Sequence, residues 1–125
     1  MNTVLIVEDN EKNMKLARDV LQAKGYKTLE AVTGEEGVKL AKENIPDLVL
    51  MDIQLPGING IEAFKQLRAD PKTTSIPVIA LTASVTPTDR SQITAAGFDA
   101  FVGKPINLKE FVETVKRLVE GAKKK

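Results

Sequence analysis

A chain of 125 residues with 18 basic and 17 acidic side chains is long enough to enclose one sizeable core, and its near balance of charge points to no nucleic acid, anionic membrane or strongly charged substrate. With no cysteine there are no disulfides, thiolate nucleophiles or cysteine-held metals; with no histidine the commonest general base, the commonest transition-metal ligand and a phosphohistidine carrier are excluded too. Apolar runs of about five residues are too short for a signal peptide or a membrane span, so a cytoplasmic protein without membrane attachment is expected.

In chain order, a first strand is predicted at Thr3–Val7, followed by a helix with Met14, Ala17 and Leu21 on one face. Gly25 falls just after that helix, where a left-handed closing residue is wanted. Apolar, β-branched runs predict further strands at Thr28–Val32, Leu48–Met51, Val78–Leu81 and Ala100–Val102. Thr33 with Glu36, Thr86 with Asp89 behind Pro87, and Asn107 with Glu110 each set a capping oxygen three residues ahead of an acid, as at a helix start; Gly97 closes the helix before the fifth strand. The last helix carries Leu108, Phe111, Val112, Val115, Leu118 and Val119 at helical spacing. Five strand–helix alternations with no linker or repeat predict one domain over residues 1–125, with its core at about 3–120. The fold class is α/β, a doubly wound parallel sheet with right-handed crossovers. Lys123, Lys124 and Lys125 read as a solvated end.

In an open parallel sheet the working cleft lies beyond the carboxyl ends of the strands. Strand one leads into Glu8 and Asp9, strand three into Asp52, strand four into Thr82 and strand five into Lys104 and Pro105, whereas strand two ends without charge. Taken singly these are a helix-capping acid, a turn-forming aspartate, a strand-end hydroxyl and a surface lysine. Taken together they form a compact polar site on an apolar scaffold. Two carboxylates ~5 Å apart repel by roughly 3 kcal/mol at an effective dielectric of ~20, so three of them need protons or a cation, and Lys104 offsets only one charge. Oxygen ligands without His or Cys favour Mg²⁺, and a metal beside a lysine and a hydroxyl is equipment for stabilising a transferring phosphoryl group.

These residues resemble a known family, the receiver domains of two-component response regulators. The likeness runs from Val4 to about Glu120 and rests on four segments that begin at Val4, Asp47, Pro77 and Gly103 and carry Glu8-Asp9-Asn10, Asp52 before Leu55-Pro56-Gly57, Thr82-Ala83 and Lys104-Pro105. It implies a flavodoxin-like (βα)5 fold of strand order 2-1-3-4-5. Carried over, it implies that Asp52 is the phosphoacceptor, that Asp9 binds Mg²⁺ directly and Glu8 through water, and that the Gln54 carbonyl is a further ligand. Thr82 and Lys104 would bind phosphoryl oxygens, Lys104-Pro105 would be a cis peptide bond, and Phe101 would be the switch aromatic, without the hydroxyl of the tyrosine often found there. Gln54 and Ser84 flank the site where the family varies. Within the family, Glu8 to Leu16 and Met51 to Pro56 look most like the DivK-type single-domain regulators.

The resemblance implies a phosphoacceptor that assists its own phosphorylation and dephosphorylation, and not an enzyme of another substrate. Its partners would be a histidine kinase or a histidine phosphotransfer protein and a downstream protein reached through the fourth helix, fifth strand and fifth helix, with no DNA-binding domain; the alternative is a receiver excised from a hybrid histidine kinase or larger regulator. A flavodoxin would share the fold, but Glu8 and Asp9 would repel its flavin phosphate. A haloacid-dehalogenase-type phosphatase needs Asp-x-Asp after strand one, where this chain has Asp9-Asn10-Glu11.

Overall fold

The first strand, β1 (Thr3–Val7), feeds α1 (Glu11–Ala23) through a tight turn in this computed structural model, which describes residues 2–53, 58–82, 91, 95–103 and 108–123. The helix starts at Asn10, whose Oδ1 accepts the N–H groups of Lys12 and Asn13 at 2.9 and 3.1 Å. It buries Met14, Ala17 and Leu21, as their spacing predicts. It ends in a Schellman closure at Gly25 (φ 89°), with Gly25 N–H donating to Gln22 O and Tyr26 N–H to Leu21 O, both at 3.0 Å.

The remaining elements are β2 (Lys27–Ala31), α2 (Gly34–Asn44), β3 (Leu48–Asp52), α3 (Gly60–Ala69), β4 (Val78–Thr82), β5 (Ala100–Gly103) and α4 (Leu108–Lys123). Residues 91, 95 and 96, between β4 and β5, are also helical, and Gly97 follows them at φ 100°. All strand pairs are parallel and the order is β2-β1-β3-β4-β5. The expected architecture is therefore present. Strand two corrects its prediction: it spans Lys27–Ala31 and not Thr28–Val32. Val32 looks like a strand residue, but its N–H donates to Glu36 Oε1 at 2.9 Å and its side chain is 53% exposed. The capping of α2 has taken it out of the ladder: Thr33 Oγ1 accepts Glu36 N–H at 3.1 Å while Glu36 reaches back. The caps expected from Thr86 and Asn107 lie outside the described residues.

The period of two along each strand sorts the core into two layers. Val4, Ile6, Leu48, Leu50, Ile79 and Leu81 pack under α1 and α4, where Phe111, Val115 and Val119 are buried. Leu5, Val7, Val49 and Met51 face α2 and α3, with Val38, Ala41, Phe64 and Leu67. β3 is buried over its whole length, as a central parallel strand covered on both faces must be. Among the described residues no helix is long and apolar enough to cross a membrane.

Candidate functional site

β1 and β3 are hydrogen-bonded neighbours with Val7 opposite Met51, so whatever follows them emerges side by side. Glu8 extends the column of Val4 and Ile6, and Asp52 that of Leu48 and Leu50, which places both carboxylates on the α1/α4 side of the sheet. Glu8 is 1% exposed and Asp52 2%, whereas Asp9 is exposed at the rim. Carboxylate oxygens from Glu8, Asp9 and Asp52 all lie within 4.8 Å of one another. Three of the predicted site residues are thus brought together.

The local chain explains how they are held. Glu8 N–H adds a rung to Ala31 O at 3.0 Å, and Glu8 Oε1 accepts the N–H of Asn10 at 3.1 Å, the residue that also caps α1. No acid stands three residues after Asn10, so its one signal in the sequence as a cap is an Asn just ahead of a helical apolar pattern. On the other side, Ile53 N–H donates to Leu81 O at 2.9 Å and Gly60 N–H to Ile53 O at 3.0 Å. The start of α3 is seated against the phosphoacceptor candidate so closely that a Cβ on Gly60 would stand 2.2 Å from the Asp52 carbonyl oxygen. Asn59 caps α3 by accepting Glu62 N–H at 2.9 Å, a second cap beyond those expected from the sequence.

Three acids this close repel one another, and burial of two of them strengthens the effect. The donor set is hard oxygen throughout, which fits Mg²⁺ or another oxygen-seeking cation. It is the one convergent group of potential metal ligands among the described residues. Beside it opens a cleft of about 410 Å³ lined by Glu8, Asp9, Met14, Arg18, Glu30 and Val32, with Arg18 paired to Glu30 at 3.1 Å across it. Thr82 is the last residue of β4 and lies in register with Gly103, which ends β5. Phe101 is half-buried on β5, opposite Ala80. Gln54, Ser84, Lys104 and Pro105 lie outside the described residues.

The response regulator receiver domain is the family whose model matches, over residues 4–116. The chain belongs to the response regulator receiver family. This receiver domain is 48% identical to the polar-differentiation response regulator DivK of Brucella ovis over 114 residues, 91% of this chain and 93% of that protein. The signal receiver domain of a signal transduction histidine kinase from Syntrophus aciditrophicus superposes with a TM-score of 0.92 at 31% identity, covering 100% of this chain and 95% of that one. The receiver domain of a sensor histidine kinase from Pseudomonas aeruginosa, whose structure has a magnesium ion coordinated in the active site cleft, gives a TM-score of 0.89 at 30% identity over 95% of this chain and 98% of its own. The receiver is accordingly a component of two-component signalling with the flavodoxin-like fold of order 2-1-3-4-5.

Proposed function

We propose that residues 1–125 form a single receiver domain in which Asp52 accepts a phosphoryl group from a phosphohistidine on a histidine kinase or histidine phosphotransfer protein. The observation that carries this reading is the convergence of Glu8, Asp9 and Asp52 at the carboxyl end of the sheet, with their oxygens within 4.8 Å. A carboxylate oxygen of Asp52 forms the new O–P bond as the N–P bond breaks, and the electron pair leaves with the imidazole nitrogen. Glu8, Asp9, Asp52 and the Gln54 carbonyl would hold Mg²⁺, which when bound neutralises charge on the phosphoryl oxygens. Lys104 and the Thr82 hydroxyl bind the same oxygens. The domain is a phosphoacceptor that assists its own phosphorylation and dephosphorylation.

Phosphorylation adds charge and acceptor oxygens that draw Thr82 inward, and Phe101 turns into the space released, next to the Lys104-Pro105 junction. The altered surface comprises the segment between β4 and β5, β5 itself and α4, and it is read by a downstream protein partner. Backbone amide shifts from Val85 to Val112 should move when a phosphate mimic is added with Mg²⁺; unchanged shifts would sink the switch. The 48% identity to DivK supports a DivK-like regulator as the first reading. Likeness to kinase-borne receivers at 30–31% identity keeps a receiver of a hybrid histidine kinase as the second reading.

The experiment is labelling by acetyl phosphate in Mg²⁺. The wild-type chain takes up one phosphoryl group, Asp52→Asn takes up none, and EDTA suppresses the wild-type reaction. Full labelling of Asp52→Asn would overturn the assignment, and undiminished labelling in EDTA would remove the metal.

A further inference from the structure

We infer that the position of the Glu8–Asp9 half of the acidic cluster is set from the opposite face of the sheet, by the close approach of α2 to Val7 at Gly37, which makes Gly37 and Val7 positioning residues. The inference rests on the metal-site reading above. Glu8 lies on the α1/α4 side, whereas Val7, one residue earlier, points the other way and is buried with Val38 and Ala41 of α2. A Cβ on Gly37 would stand 2.6 Å from Val7 Cγ2 and 3.0 Å from Val7 Cγ1. Carbon atoms in good contact sit ~3.5–4.0 Å apart, so an added methyl must displace something.

Val7 has little room to give way. Its side chain is 0% exposed, and its strand neighbours are Ala31 on one side and Met51 on the other, both fully buried. The displacement is therefore passed to the backbone at the end of β1, from which Glu8 and Asp9 leave, and to the rung between Glu8 N–H and Ala31 O. The Asp52 half has a further support of its own, from α3 at Gly60. Moving one half against the other alters the separation of the carboxylates, and Mg²⁺ demands near-ideal octahedral geometry at about 2.0–2.1 Å. Helix propensity alone argues the reverse, because Ala is a better helix former than Gly in the body of α2.

The test is a size swap read by calorimetric titration of the folded chain with MgCl2. Gly37→Ala should weaken Mg²⁺ binding about tenfold, the range seen when groups supporting metal ligands are disturbed. Adding Val7→Ala removes both γ carbons and leaves only the Cβ of residue 7, 3.4 Å away, so the double variant should regain wild-type affinity. Val119→Ala, in the core under the far end of α4, should lower the melting temperature without changing Mg²⁺ affinity. Wild-type affinity in Gly37→Ala, failure of Val7→Ala to rescue, or an equal loss in Val119→Ala would each overturn the inference. If the wild-type chain bound no Mg²⁺, the metal-site reading itself would fall instead.

Discussion

At the amino end of the sheet, Asp47 accepts the N–H of Thr3 at 2.7 Å, and Asp99 accepts the N–H of Val78 at 2.8 Å while its Oδ2 also takes the Arg68 guanidinium at 2.9 Å. At the carboxyl end, Glu8, Asp9 and Asp52 turn oxygens toward each other within 4.8 Å. All are carboxylates, and the settings are opposite. Asp47 and Asp99 satisfy the first N–H groups of β1 and β4 and so stabilise strand starts. The acids at the other end bring negative charge together, a repulsion that a bound cation would ease. An aspartate next to a strand is thus read by what it faces, and the two ends should respond to perturbation with opposite signs.

The largest expected effect is metal-linked. At a Mg²⁺ concentration of about 100 times Kd, the wild-type chain should gain roughly 2.7 kcal/mol of stability, measured by urea unfolding with and without Mg²⁺. Asp9→Asn and Asp52→Asn should lose most of that gain, and Asp99→Asn should keep it. Next in size, Asp99→Ala should destabilise the chain by about 2 kcal/mol, because it leaves the Val78 N–H without its acceptor and frees Arg68 from its ion pair. Phosphoryl uptake by Asp99→Ala should persist below its melting temperature; loss of uptake in the folded variant would break the contrast between the ends. A smaller effect of opposite sign is expected without metal, where Asp9→Asn should raise stability by about 1 kcal/mol, discounted because Asp9 is exposed.

The smallest effect lies far from the site. Burial, with a contribution from the charge of Glu120, pushes the Tyr26 phenol above its ordinary value of 10.0. A raised folded-state pKa means that the stability of the neutral phenol is fully present below pH 10 and is lost as pH rises through the folded value. Tyr26→Phe should therefore flatten the alkaline decline of the melting temperature, and an unchanged decline would assign it to other groups.

Much of the site was legible because its residues stand at strand ends, and a parallel sheet brings strand ends together irrespective of their separation in sequence. Glu8 and Asp52 needed only the period of two and the order of strands to be set side by side. Features that depend on which backbone group captures which side chain were less legible. Val32 is apolar and β-branched, yet Glu36 removes its N–H from the ladder. Asn59 with Glu62 shows the same three-residue spacing as Thr33 with Glu36 and was open to the same argument. The clasp of Arg68 on Asp99 and on Ile76 O at 2.7 Å joins positions with no local pattern between them, whereas its place over the Phe64 ring at 4.6 Å follows from their four-residue spacing on α3. Ile45 ends α2 in the left-handed region at φ 45°, against the preference of a β-branched residue, and its position just before Pro46 gave no cue to that conformation.

Phosphoryl transfer at Asp52 would leave an acyl phosphate on that one side chain. The most direct measurement is to label the chain with acetyl phosphate and Mg²⁺, trap the acyl phosphate by borohydride reduction, and locate the reduced residue by peptide mass spectrometry. Asp52 should be converted to homoserine, and should stay unmodified when Mg²⁺ is withheld. Reduction at Asp9, Asp47 or Asp99 with Asp52 intact would contradict it.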